Sequence, residues 1–141
     1  PSAFLALNAI IHTNSRKIPA NNFFKGTFET ALKKGELITS IEFEVPERAS
    51  YAKLPNPASR YAIVGVYVAK FKKEVRVAVT GAGSSVFRSK ELESALSSNF
   101  SPSAVDQVNI SSNELNSDIH ASAEYRAHMI KIMAKKAVSN C

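Results

Sequence analysis

Few side chains in this sequence are spaced to do chemistry unaided. A metal site or a general base would draw first on His12, His120 and His128, but these are far apart and share no ligand spacing. His128 is read as an ordinary helix residue and His120 as part of the turn entering that helix. The serine pairs at 84–85, 97–98 and 111–112 resemble helix caps and loop residues, and no Ser-His-Asp pattern emerges. A phosphate-binding loop would need a fuller glycine fingerprint than Gly81-Ala82-Gly83, which follows a strand but opens no helix. The single cysteine, Cys141, allows neither an intramolecular disulfide nor a cysteine cage, which fits a reducing compartment.

The elements that must position any site are organised around Glu36–Gly81. Leu37–Val45 alternates Ile41, Phe43 and Val45 with Ser40, Glu42 and Glu44, the period of a strand with one wet face. Pro46 ends it, having no N–H for a ladder. Leu54-Pro55-Asn56-Pro57-Ala58-Ser59 reads as an irregular loop. Tyr61–Phe71 and Val75–Thr80 read as two further strands joined by a polar turn at Lys72-Lys73-Glu74. The expectation is an antiparallel meander with a pinned loop between two of its strands.

Upstream, Phe4–Thr13 is an apolar run of strand length, turned by Asn14-Ser15 and followed by a return strand at Arg16–Pro19. The adjacent Phe23 and Phe24 in a polar loop predict packing against another body. Thr27–Lys34 is too short to read as a helix, and Gly35 ends it. Downstream, Val86-Phe87 reads as a short extended piece. A helix opens at Ser89 with Leu92, Ala95 and Leu96 inward. A second, short one opens at Ser101-Pro102 with Ala104, Val105 and Val108 as its apolar stripe. The last, Ala123 to about Val138, is capped by Ser122. Its Tyr125, Met129, Ile132 and Met133 fall at helical spacing and are expected to pack inward. Arg126 is expected to hold a backbone or carboxylate group at the helix start. The fold class that follows is α+β: a small antiparallel β-sheet of about three to four strands, then a C-terminal cluster of about three helices.

The 141 residues are 45% hydrophobic, enough for one packed domain, and no apolar run approaches a membrane span. Pro1-Ser2-Ala3 carries no basic segment of a signal peptide, and a start at proline suggests a processed or excised chain. The net charge of +6 is scattered over Lys33-Lys34, Lys70, Lys72-Lys73, Lys131 and Lys135-Lys136, with no interleaved aromatic platform, which argues against nucleic acid as a partner.

Three stretches taken together, ELITSIEFEVP, then YAKL…SRYAIVGV with RVAVTGAG, then DIHASAEYRAHMIKIMAKKAV, resemble the C-terminal domain of the FAD-binding medium subunit of molybdenum hydroxylases, the carbon monoxide dehydrogenase and xanthine dehydrogenase family. The resemblance covers roughly residues 27 to 138. Residues 1–26 look like the terminal β-hairpin of the preceding FAD-binding domain, and 27–141 like the C-terminal domain, with its sheet over 36–81 and its helices over 89–138. The resemblance implies a component of a multi-subunit molybdenum-containing dehydrogenase, inactive in isolation. In that family electrons pass from molybdopterin through 2Fe-2S clusters to FAD and on to an external acceptor. The implied partners are the N-terminal FAD-binding portion of the subunit, an iron–sulfur small subunit and a molybdopterin large subunit, in the cytoplasm. FAD would be shared with the N-terminal region, whose glycine-rich phosphate motifs are absent here. No residue is assigned to catalysis.

Four residues carry over to flavin contact: Lys53 beside the ring, Tyr61 lying against it, and Ile38 with Leu37 touching it from the preceding strand. The loop Leu54–Arg60 contains no acid where the xanthine dehydrogenase branch has an acidic one, which weighs against NAD as acceptor. Ala82-Gly83 is small enough to admit another chain. The competing expectation is an interface domain, wedged between the iron–sulfur and molybdenum subunits, that never touches FAD.

Overall fold

A computed structural model describes all residues 1–141. The α+β class holds, but the strands divide among three antiparallel sheets instead of one. The first element is not a strand. Ser2–Ala6 forms a short helix, α1, and Asn8 then adopts a left-handed φ of 52°, a conformation asparagine tolerates at a helix end. Only Ile10–Thr13 (β1) is extended, and Lys17–Pro19 (β2) returns against it as expected. A turn of helix, Ala20–Phe23 (α2), leads into a small hairpin of Phe24–Gly26 (β3) and Glu29–Thr30 (β4).

The strand expected over 37–45 is shorter, Ile38–Glu42 (β5), and belongs elsewhere. It pairs with β1, giving the order β2-β1-β5, and does not join the meander. The expected dry face is largely wet: Ile41 is half-buried, but Phe43 and Val45 lie past the strand end and are exposed. The meander instead recruits Arg48–Pro55 (β6), a stretch the sequence does not mark as a strand. It runs on through Ala62–Lys70 (β7), Val75–Thr80 (β8) and the two-residue Phe87–Arg88 (β9). As the edge of this sheet, β6 needs little apolar character and can end in Pro55, because nothing pairs with its outer side.

β7 and β8 are buried on both faces, and so they read as nearly continuous apolar runs. On one face Val64, Val66, Val68, Val77 and Val79 meet Lys90–Ser98 (α3), a 3₁₀ turn at Pro102–Val105, and Ala123–Ser139 (α4). On the other face Ala69 and Ala78 meet Leu5, Ala6, Ile11 and Phe23 of the N-terminal segment. Phe23 is therefore buried within this chain, edge-on to Phe24 at 5.2 Å between ring centroids, and needs no second body to cover it.

The helices open as expected, α3 capped by Ser89 and α4 by Ser122. The inward face of α4 is displaced, however. Arg126, Ala127, Ile130, Met133, Ala134, Ala137 and Val138 are buried, whereas Tyr125 and Ile132 are exposed. The helical period is right but the stripe is rotated by about one residue, because a buried arginine fixes the start of the helix, as described below.

Candidate functional site

The β6–β7 connection is built around Asn56. Its Oδ1 accepts the amides of Ala58 (2.9 Å) and Ser59 (3.1 Å), and its carbonyl accepts the amide of Arg60 (2.9 Å). Its own amide donates to the Tyr61 carbonyl at 2.7 Å, which closes the loop. This side-chain mimicry of a turn is the reason asparagine serves here. Arg60 takes a left-handed φ of 63° to complete the bend. Its carbonyl accepts a hydrogen bond from Lys53 Nζ at 3.0 Å.

Lys53 and Tyr61 are thus brought together: the ammonium of one is tied to the residue preceding the other. Both are exposed, Tyr61 to 75%, so the phenol stands out from the loop and is not a core or cross-strand packing residue. Lys53 faces Gly65 across the ladder, and Gly65 faces Thr80 on the next strand, so one row of the sheet carries a cation, no side chain, and a small hydroxyl residue. Paired residues share a face in an antiparallel sheet. This row lies on the face that bears Ala69 and Ala78, but at the end away from the N-terminal segment that covers them.

Tyr51, two residues before Lys53, occupies the same face. A Cβ built on Gly65 would come within 2.2 Å of the Tyr51 hydroxyl oxygen, so the phenol lies across the glycine. Burial pushes the Tyr51 hydroxyl pKa above its ordinary value. Sequence reasoning missed this residue because it missed β6. Once Arg48–Pro55 is a strand, the period of two places Tyr51 and Lys53 side by side.

Leu37 and Ile38 lie on the other sheet. The Leu37 backbone is held by Asn14, its carbonyl accepting the Asn14 amide at 3.0 Å and its amide donating to Asn14 Oδ1 at 3.2 Å. Both side chains are exposed at the start of β5, an edge strand.

The loop is braced from behind by Arg126. Its Nη1 donates to the carbonyls of Ile63 (2.7 Å) and Gly81 (3.1 Å), and its Nη2 to Asp118 Oδ2 (2.7 Å). These are the backbone and carboxylate partners the sequence leads one to expect. Asp118 also caps the entry turn, accepting the amides of His120 and Ala121, and these bonds together with the guanidinium hold its carboxyl below the ordinary range.

Two other places carry less. Ala82-Gly83 does not admit another chain: Ala82 is fully buried, and Asn116 bonds both carbonyls while Leu115 bridges to Gly83. An open cleft of about 650 Å³ lies between Gly83–Ser89 and residues 110–115, but it contains none of the four expected site residues. Of its three charged members, Arg88, Glu91 and Glu114, the cation is already paired with Glu93.

Comparison with known proteins identifies the family and the fold. The family described as the CO dehydrogenase flavoprotein C-terminal domain matches residues 49–141, well over half of the chain. The glyceraldehyde dehydrogenase medium chain of Sulfolobus acidocaldarius is 33% identical over 97% of this chain and 54% of its own length. The nicotine 6-hydroxylase medium subunit of Paenarthrobacter nicotinovorans is 29% identical over 98% of this chain and 54% of its own. The chain therefore spans about half the length of these relatives. A crystal structure of quinoline 2-oxidoreductase from Pseudomonas putida 86 superimposes on 99% of this chain and 54% of that one with a TM-score of 0.79, at 19% identity, a likeness of fold. By the family match over its β6-to-α4 portion, this chain belongs to the CO dehydrogenase flavoprotein C-terminal domain family.

Proposed function

We propose that the chain is part of the FAD-binding subunit of a molybdenum hydroxylase-type oxidoreductase, in which electrons from iron–sulfur clusters pass through FAD to an external acceptor. Family membership supports this, as do relatives named as medium chains of a dehydrogenase and a hydroxylase. The partners it implies are the N-terminal FAD-binding portion of the subunit, an iron–sulfur small subunit and a molybdopterin large subunit. The same reading takes residues 1–26 as the terminal hairpin of the preceding domain and 27–141 as the C-terminal domain, with β5 reaching back to complete the hairpin's sheet. No helix is long and apolar enough to cross a membrane, and we place the complex in the cytoplasm.

The observation that carries the proposal is the pairing of Lys53 and Tyr61 on one hydrogen-bonded loop at the open end of the sheet. The site suits a flat anionic redox group. Gly65 keeps the floor low enough for the Tyr51 ring to lie flat across it, Lys53 offers a cation at its edge, and Tyr61 an aromatic face with a polar rim. When bound, FAD supplies two-electron redox chemistry. The chain's own part is to hold and bias it. The Lys53 ammonium, steadied by the Arg60 carbonyl, favours negative charge at its edge, the Tyr61 ring shields one side from water, and Leu37 and Ile38 add apolar contact from the first sheet.

The test uses the full-length subunit assembled with its partners and FAD. Lys53→Ala should weaken FAD binding about tenfold, as loss of one hydrogen bond or ion contact to a charged group would, and slow reoxidation of the reduced flavin. Unchanged FAD affinity, flavin spectrum and reoxidation in both Lys53→Ala and Tyr61→Phe would leave the interface-only alternative. That alternative draws support from the large apolar side chains exposed elsewhere, Phe28, Val45 and Ile119.

A further inference from the structure

We propose that Tyr51 is a further flavin-binding residue, its phenol laid across Gly65 beside Lys53 so that the hydroxyl is offered as a hydrogen-bond donor to the rim of the ring. The inference rests on the reading of the Lys53 face given above and adds a residue to it.

Three observations converge on this residue. First, position: Tyr51 and Lys53 alternate onto the same face of β6, and the direct ladder partner of Tyr51 is Tyr67, not Gly65. The phenol must therefore lean diagonally along the strand, toward the Lys53 end, to reach Gly65. Diagonal neighbours in a sheet are within the span of an aromatic side chain. Second, the notch: a Cβ on Gly65 would sit 2.2 Å from the Tyr51 hydroxyl oxygen, 2.9 Å from Cζ and 3.0 Å from Thr80 Cγ2. Only glycine lets the ring lie down here, and Thr80 closes the far side. Third, the hydroxyl has no hydrogen-bond partner within the chain, and the residue is 42% exposed. A half-buried phenol whose pKa is raised by burial remains protonated at neutral pH, and so remains a donor. A purely structural tyrosine at this place would use its ring and leave its hydroxyl idle. The two roles make different predictions for the loss of a single oxygen atom.

The full-length subunit with its partners and FAD again serves. Tyr51→Phe keeps the ring and removes only the hydroxyl. It should leave the melting temperature unchanged, weaken FAD binding about three- to tenfold, as loss of one hydrogen bond would, and shift the visible absorption envelope of the bound flavin. Gly65→Ala, which displaces the phenol, should weaken FAD binding at least as much. The double variant should lose less than the two single losses combined, since both act through one group. If Tyr51→Phe binds FAD with wild-type affinity and spectrum while Lys53→Ala does not, Tyr51 is only a packing residue and the flavin-facing reading of Lys53 survives. If neither substitution has any effect, that reading fails and this inference fails with it.

Discussion

Arg126 shows how much can rest on one side chain. It is only 3% exposed, yet it satisfies two strand-end carbonyls and a carboxylate from a third segment. Buried carbonyls without partners are costly, so truncation should remove far more than one bond's worth of stability. Arg126→Met, which keeps the stem and removes the guanidinium, should destabilise the chain by about 3 kcal/mol in urea denaturation. In the assembled flavoprotein it should also loosen the Lys53–Tyr61 loop, since Ile63 lies two residues from Tyr61. Gly81 shares this anchor. Its φ is +81°, and a Cβ there would come within 2.2 Å of the Ala62 carbonyl oxygen. The motif after β8 therefore carries glycine for the close approach of β7 and not for a phosphate. The role of Arg126 was legible from its place beside a capping serine. The roles of Tyr51 and Gly65 were not, because they depend on a cross-strand register that no local pattern announces.

Among the elements, α3 is tied to β8 by two side chains: Ser97 Oγ accepts the Val75 amide at 3.0 Å, and a carboxylate holds the next residue but one. Glu93 is buried, accepts the Val77 amide at 3.1 Å, and pairs with Arg88 and Lys90. Burial alone would raise its pKa, but the hydrogen bonds from Arg88, the Val77 amide and Lys90 outweigh it and hold the carboxyl below the ordinary value. A carboxyl depressed by folding stabilises the native state above its unfolded pKa and loses that contribution as pH falls through the folded one. Stability should therefore decline below about pH 4.3, the ordinary glutamate range. Glu93→Gln should flatten this part of the profile while lowering stability at pH 7. Denaturant midpoints measured between pH 3 and 7, values taken from that range, check both. α3 and α4 were legible from their caps and periods, and β7 and β8 from their apolar runs. β6 was hidden because Arg48, Ser50 and Lys53 suit an edge and signal no core. β5 was visible as a strand but not as a member of the other sheet, since pairing partners are set by tertiary packing.

At the scale of the whole molecule, two cores share one sheet. The helical core lies under β6–β9, and the N-terminal core covers Ala69 and Ala78 on the opposite face. Arg76 bridges the halves. Its guanidinium stacks 4.4 Å from the Phe71 ring centroid and reaches Glu44 at 3.0 Å, on the segment linking β5 to β6. A chain reduced to residues 49–141, the portion that carries the family signature, should therefore keep its helices yet present bare alanine and phenylalanine surface where α1 had packed. Self-association on size-exclusion chromatography, relieved when residues 1–48 are restored, is the expected result. The α+β class was readable from the order of strands and helices. The two-sided burial of the central strands was not, because that depends on where the first twenty residues fold back.

The β1–β5 ladder has a practical corollary. Ile10 stands opposite Glu42 and Ile11 opposite Ile41, so the backbone on either side of residue 27 is stitched together by main-chain bonds. Two peptides made separately, 1–26 and 27–141, would each carry half of that seam and should find one another when mixed, which would make this chain a natural candidate for fragment complementation.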